Sequence, residues 1–251
     1  MKYEMFGEVV NGLQRIRAVK DFGDVKAGDI GGWIKQESNL SHDGDCWVSG
    51  DAQVSDDARV CGHAKVSGYA RASDNVYISG SVHVSGHAEV FGHADVIGHA
   101  KVLGNAKVSD NAQVSDSARV FGNAKVLGYA WVGGSAQVFE DAWVSGRAEI
   151  SEDARVFGNA KVFENANVSG AAQVSENARV QGIKRSDGYT FCYVPCTDGT
   201  MRVIAGCRYF TMDEARVHWE DTRGGTPLGD ETMNILEDIE RRAKTSPEGC
   251  V

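Results

Sequence analysis

Proline is nearly missing from this chain, at 3 of 251 residues, and aromatic residues make up only 8%. The opening stretch from Met1 to Val10 has no apolar core of the kind a secretory signal carries, and no later run approaches a membrane span. The chain is therefore expected in the cytoplasm with no membrane partner. There its cysteines (Cys46, Cys61, Cys192, Cys196, Cys207, Cys250) need no disulfides. An excess of positive charge is lacking too. The net charge is −9 and the pI about 5.3, which argues against non-specific binding to nucleic acid. Acidic mimicry of DNA is also disfavoured, because Lys65, Lys101, Lys107, Arg119, Lys125, Arg155 and Lys161 are interspersed among the acids.

What is present is a six-residue phrase repeated without a slip from Cys46 to Gly182, with Ala52-Gln53-Val54-Ser55-Asp56-Asp57 as its pattern. Valine recurs at every sixth residue from Val48 to Val180, and only Ala72, Ile78 and Ile150 depart from it. Two residues earlier stands alanine, with Cys46, Val76 and Val82 as exceptions. Repetition this strict indicates a solenoid. Side chains alternate along a strand, so Ala52 and Val54 share one face and Gln53 takes the other. The next three residues must turn the chain. Glycines such as Gly62, Gly68, Gly86 and Gly92 suit angles closed to other residues. Asn105, Asn111, Asn123 and Asp141, one position on, are expected to tolerate the left-handed region. A short strand and a corner, repeated, give a tube lined with alanine and valine whose coils bond to those above and below.

The phrase resembles the hexapeptide repeat of left-handed parallel β-helices, the fold of hexapeptide acyltransferases. That resemblance implies an all-β solenoid in the form of a triangular prism, with three hexads and about 18 residues per coil. It also implies the left hand, which the usual right-handed crossover rule would not supply. About 23 hexads then make roughly seven to eight coils, a prism about 35 Å long at ~4.8 Å per coil.

Three segments follow. Residues 1–45 read as an N-terminal cap and irregular first coil, 46–182 as the β-helix, and 183–251 as a C-terminal α+β cap. In the first, Tyr3–Phe6 and Leu13–Val19 flank Asn11-Gly12 as a hairpin, and Ile34 and Leu40 share the sequence phase of Cys46. An open solenoid end exposes strand edges and its apolar bore, so Trp33, Phe22 and the hairpin are expected to plug it. In the last, Tyr189–Val194 and Met201–Ala205 flank Asp198-Gly199 as a second hairpin. Thr211 to Glu214 is a capping box opening a helix to about Trp219. A second helix is expected from about Gly229-Asp230 to Lys244, with Met233, Leu236, Ile239 and Ala243 on one stripe.

The flanks sharpen the resemblance. Residues Arg17–Asp24 with Gly31–Ile34, and Gly206–Thr211 with Asp213–Arg216, are similar to the ends of a phage- and prophage-encoded group of hexapeptide-repeat proteins. Members of that group are often named after acetyltransferases or polymer-forming proteins. The resemblance to the acyltransferases implies a histidine base near an extruded loop, with acyl-CoA between subunits. The prism holds His63, His83, His87, His93 and His99, but its hexad register is unbroken from Val48 to Val180, so no loop leaves it. His87, His93 and His99 are six apart, at three different corners of one coil, and cannot converge on one substrate atom within a protomer. They read as corner residues interchangeable with asparagine. No metal site is expected either. His63 and His99 resemble two ligands of the γ-class carbonic anhydrases, but Gly104 stands where that family's third histidine belongs. Cys192, Cys196, Cys207 and His218 fit no common zinc spacing.

One surface feature stands out. Leu103, Phe121, Phe139 and Phe157 are 18 apart, directly after the inward valine, and would form a continuous apolar ladder. Phe91, Leu127 and Phe163 alternate with Ser109 and Ser145 in a second column. The ladder is expected to be a homo-oligomer interface, a trimer as in the resembling enzymes, or to lie beneath the C-terminal helix. Lys65, His83, Lys101, Arg119 and Arg155 form a basic column suited to an acidic partner or to solubility alone. The expectation is a non-catalytic phage-type solenoid that binds or scaffolds a host or phage component without a cofactor. The alternatives are an acyltransferase using acetyl-CoA with His87, His93 or His99 between subunits, and a purely structural self-assembling element.

Overall fold

The computed structural model describes residues 1–195, 201–206 and 208–245. Cys196, Cys207, Cys250 and the Asp198-Gly199 turn lie outside them.

Strands of two residues, three at Lys161–Phe163, recur every six residues from Trp47–Val48 to Gln173–Val174 and pair in parallel with strands one coil away. His83 pairs with Lys65 on one side and Lys101 on the other, which sets 18 residues to a lap. The chain is thus a parallel β-solenoid with three faces. The first face runs from Trp47–Val48 to Gln173–Val174 as 8 strands, and the third from Arg59–Val60 to Asn167–Val168 as 7. The second has 11, because the N-terminal strands Tyr3–Val10, Leu13–Ala18 and Ile30–Ile34 extend it beyond Gln53–Val54. Alanine and valine fill the bore, and from Ala52 to Val168 every one is 0–1% exposed. Each buried valine contributes roughly 1.5–3 kcal/mol.

The corner glycines take positive φ as expected, but the residues one position on do not. Positive φ falls at the glycine-or-acid position, as at Gly104 (72°), Asp110 (61°), Gly122 (73°) and Glu140 (58°), and not at the following asparagines. The acids pay back this strain by capping the next coil. Asp74, Asp110, Asp116 and Glu140 each accept a hydrogen bond from the amide of the residue 18 positions on, at 2.8 to 3.0 Å. The asparagines bond sideways instead, Asn105 donating to Asn123 and Asn123 to Asp141, both at 3.0 Å.

The first coil is longer than the rest. Ile34 pairs with Val54 and Leu40 bridges Val60, a step of 20, so both take valine positions and not the alanine-type position of Cys46. Two additional residues before Cys46 absorb the change of phase. Nor is Trp33 in the plug. It pairs with Gln53 on the outer surface, under the guanidinium of Arg15 at 4.6 Å. The bore is closed by Ile16 and Tyr3, whose hydroxyl donates to Leu40 O at 2.7 Å. Lys2, 1% exposed, donates from Nζ to Gly44 O, Cys46 O and Cys46 Sγ. Phe22 does join the cap, edge-on to Trp47 at 5.4 Å.

At the other end, Ile183–Lys184, Thr190–Pro195, Met201–Ala205 and Arg208–Thr211 form a four-stranded antiparallel sheet. Thr211 and Glu214 make the capping box, and that helix runs Met212–Arg223, four residues beyond Trp219. It closes where the Gly224 amide bonds Glu220 O at 2.8 Å. The second helix begins earlier than expected, spanning Pro227–Thr245, since proline is accepted in a first turn. Leu236 and Ile239 are buried against Phe191, Val203 and Trp219, with Met233 packed alongside.

Candidate binding surface

Each inward valine on the first face is followed by the corner leading to the second. Leu103, Phe121, Phe139 and Phe157 occupy that corner in successive coils, all half-buried. Phe121 and Phe139 stack at 4.9 Å with 2° between ring planes, and Phe139 and Phe157 at 5.0 Å and 4°. Strand spacing of about 4.8 Å sets that interval, so backbone pairing holds the rings in register. The guanidinium of Arg119 lies 5.3 Å from the Phe121 ring, and that of Arg155 lies 5.3 and 5.5 Å from Phe139 and Phe157. Arg155 Nε is buried and makes no hydrogen bond among the described residues. The two C-terminal helices pack on each other and on the final sheet, leaving the ladder half-exposed.

The basic column borders this ladder. Lys65, His83, Lys101, Arg119, Gln137 and Arg155 are consecutive partners on the first face, with Gln137 as an uncharged interruption. Lys65 is held by Asp24 at 2.5 Å. Lys101, Arg119 and Arg155 have no carboxylate partner among the described residues. On the second face Trp143 lies between Lys125 and Lys161, at 5.4 and 5.8 Å from its ring.

The histidines stay apart. His87 leads into the second face, His93 into the third and His99 into the first. The His87 ring is stacked on Tyr69 at 5.0 Å. His63 and His99 lie in one column with Ser81 between them, and His63 Nδ1 is 3.3 Å from Asp45 Oδ2. No three metal-ligating side chains cluster among the described residues. Burial pushes the Cys192 thiol up to about 12, and its sulfur accepts the Asn167 amide at 3.0 Å, a packing role. His218 lies on Phe210 at 5.1 Å.

Sequence reasoning missed His42. Its Nδ1 accepts the Lys2 backbone amide at 3.3 Å, leaving Nε2–H to donate to Glu37 at 2.7 Å. With both nitrogens engaged and the ring stacked on Tyr3 at 4.4 Å, it has no free position for a substrate proton. It borders a shallow cleft of about 550 Å³ lined by Leu40, Arg59, Cys61 and Tyr77, which opens where the longer first coil leaves the repeat. The hexad pattern gave no advance signal of it, since Ile34 and Leu40 keep the sequence phase of Cys46. No helix among the described residues is long and apolar enough to cross a membrane.

No protein-family model matches the chain. A stretch of 36 residues, 14% of the chain, is 50% identical to part of an uncharacterized acetyltransferase, YdcK, of Escherichia coli (strain K12). The chain spans 11% of that protein's length. A match of this length equals two coils, and together with the fold it fits the hexapeptide-repeat class.

Proposed function

We propose that this chain is a non-catalytic binding or scaffolding solenoid that self-associates as a trimer through Leu103, Phe121, Phe139 and Phe157. The reading places it in the cytoplasm, in a cell hosting a phage or prophage, with a host or phage protein as its partner and no cofactor. The observation that carries it is the stacked phenylalanine column. Three rings in register, flanked by cations without carboxylate partners among the described residues, make a flat, rigid surface that costs little ordering entropy on association. Exposed contiguous apolar surface of this kind marks interaction sites. The test is light scattering of a Phe121→Ser, Phe139→Ser double variant. Circular dichroism should be unchanged and the mass, extrapolated to low concentration, should drop to one copy; an unchanged mass there overturns the reading.

The match to an acetyltransferase favours one other reading, an acyltransferase whose site forms between subunits around His87, His93 or His99. Calorimetry with acetyl-CoA separates the two, since only the enzyme reading requires saturable heat that is lost in the dissociated variant. The basic column of Lys65, His83, Lys101, Arg119 and Arg155 is proposed as the dock for an acidic partner. A purely structural element would retain no protein in a pull-down, whereas a scaffold retains one that charge reversal at Lys101 and Arg119 releases.

A further inference from the structure

The two ends of the solenoid are closed unequally. At the C-terminal end three strands terminate the three faces, and two of them are met by the final sheet. The Asn167 amide of the third face donates to Cys192 Sγ, and Arg179–Gln181 of the second face packs against Thr190–Pro195. Among the described residues the last strand of the first face, Gln173–Val174, pairs only with Arg155–Val156 behind it. In every earlier coil of that face the equivalent amides are bonded; Arg155 donates to Ala172 O and Phe157 to Val174 O, both at 2.9 Å. The Gln173 and Ser175 amides have no acceptor among the described residues, and Gln173 is exposed. Among the described residues this is an open strand edge at the end of a regular parallel sheet.

At the N-terminal end the outermost strand is Tyr3–Val10, which pairs with Leu13–Ala18 on one side only. Leu13–Ala18 is antiparallel to Ile30–Ile34, and Tyr3–Val10 is antiparallel to it in turn, so Tyr3–Val10 runs parallel to the coil strands. Its distal half is unpacked: Val9 is 64% and Val10 48% exposed, and Glu8 has no ion pair among the described residues. The segment Glu8-Val9-Val10-Asn11, with Asn11 at φ 52°, repeats the coil phrase of polar residue, valine, corner residue and positive φ. Gln173-Val174-Ser175-Glu176, with Glu176 at φ 55°, is the same phrase.

We infer that a second copy of this chain occupies the open edge, with Glu8–Val10 of one copy adding in parallel to Gln173–Ser175 of the next. Direction, phrase and charge agree. The incoming strand runs the same way as the sheet it extends, and Val9 continues the column of Val174. Glu8 extends the Lys101, Arg119, Gln137, Arg155, Gln173 column two strand spacings, about 9.6 Å, beyond Arg155, where it offsets the charge of arginines that have no carboxylate partner among the described residues. Because the two surfaces differ, the contact is head-to-tail, and because each copy is added along the solenoid axis the contact does not close and copies add in a row. Each copy is turned by one face relative to its neighbour, since the hairpin extends the second face and the open edge ends the first. A contact of one short strand pair is small, so growth is weak and concentration-dependent.

The test mixes a Glu8→Cys variant with a Gln173→Cys variant under oxidising conditions. Paired strands about 4.8 Å apart fall within disulfide reach. Mass spectrometry should find a peptide joining residues 8 and 173, and sedimentation of the wild-type chain should show mass rising with concentration. Val9→Lys, a change at an exposed side chain, should abolish both with circular dichroism unchanged. The Phe121→Ser, Phe139→Ser variant should retain the 8–173 link, which separates this contact from the ladder. A mass that does not rise with concentration, or a link that survives Val9→Lys, overturns the inference.

Discussion

The ring of Phe139 is stacked on both of its neighbours, on Phe121 at 4.9 Å and on Phe157 at 5.0 Å, so it alone of the three loses two contacts when removed. At about 0.5–1.5 kcal/mol per aromatic pair, Phe139→Ala should cost roughly 1–3 kcal/mol and Phe157→Ala about half that. Denaturant unfolding at a concentration where every variant has the same mass measures the difference. Equal costs would mean that the rings pack on the backbone and not on one another.

The corner acids supply a second test. Asp116 holds φ 56° and accepts the Gly134 amide at 3.0 Å, so it carries both backbone strain and a cap. Asp116→Ala loses the acceptor and the tolerance of left-handed angles, and should cost about 1–2 kcal/mol. Asp116→Asn keeps an oxygen in place and should be nearly neutral. Thermal unfolding of the pair decides it, and an alanine variant as stable as the asparagine one would show that the cap contributes nothing.

The prism was legible because its signals are local. A period of two within Ala52-Gln53-Val54 and of six along the chain placed the inward side chains from Cys46 to Val180, the resemblance to hexapeptide-repeat proteins supplied three hexads per lap, and Thr211 to Glu214 sufficed to start a helix. The exact corner residue was not legible, since Gly104 and Asn105 both tolerate left-handed angles and only the pairing of coils decides between them. The N-terminal plug was misread for a different reason. Two added residues before Cys46 shift Ile34 and Leu40 onto the valine track. The residues that close the bore, Lys2 and Tyr3, reach partners some 40 positions away that no short pattern encodes. The ladder's column was readable from its spacing of 18, whereas the arginines over its rings were not.

Cysteine reactivity should follow burial. Cys46 and Cys192 are buried, and desolvation raises both thiols, Cys192 to about 12. Cys61 is half-buried at the edge of the cleft, with its sulfur 3.4 Å from the Tyr77 hydroxyl. Iodoacetamide at pH 8 should therefore alkylate Cys61 in the folded protein, while Cys46 and Cys192 react only after denaturant is added. Peptide mapping reads the order, and early labelling of Cys192 would mean that the C-terminal sheet opens independently of the coils.

The C-terminal cap should be the acid-sensitive part of the molecule. The Arg185 side chain is 1% exposed, its guanidinium 5.2 Å from the rings of both Tyr189 and Trp219. It donates to Thr232 Oγ1 at 2.8 Å, which ties the second helix to the final sheet. Asp187 balances its charge through bonds from Nε at 3.0 Å and Nη2 at 2.7 Å, and these hydrogen bonds hold its carboxyl at about 2, below the ordinary 3.8. A depressed acid stabilises the fold above its unfolded value and loses that contribution as pH falls toward the folded one. Protonating Asp187 leaves a buried cation unbalanced, so amide protection in Pro227–Thr245 should fall between pH 3.8 and about 2 while the coils, closed by backbone bonds, change less. Asp187→Asn imposes the same loss at neutral pH and should flatten the dependence. Hydrogen exchange across that range reads both. If the asparagine variant titrates like the wild type, another carboxylate governs the cap.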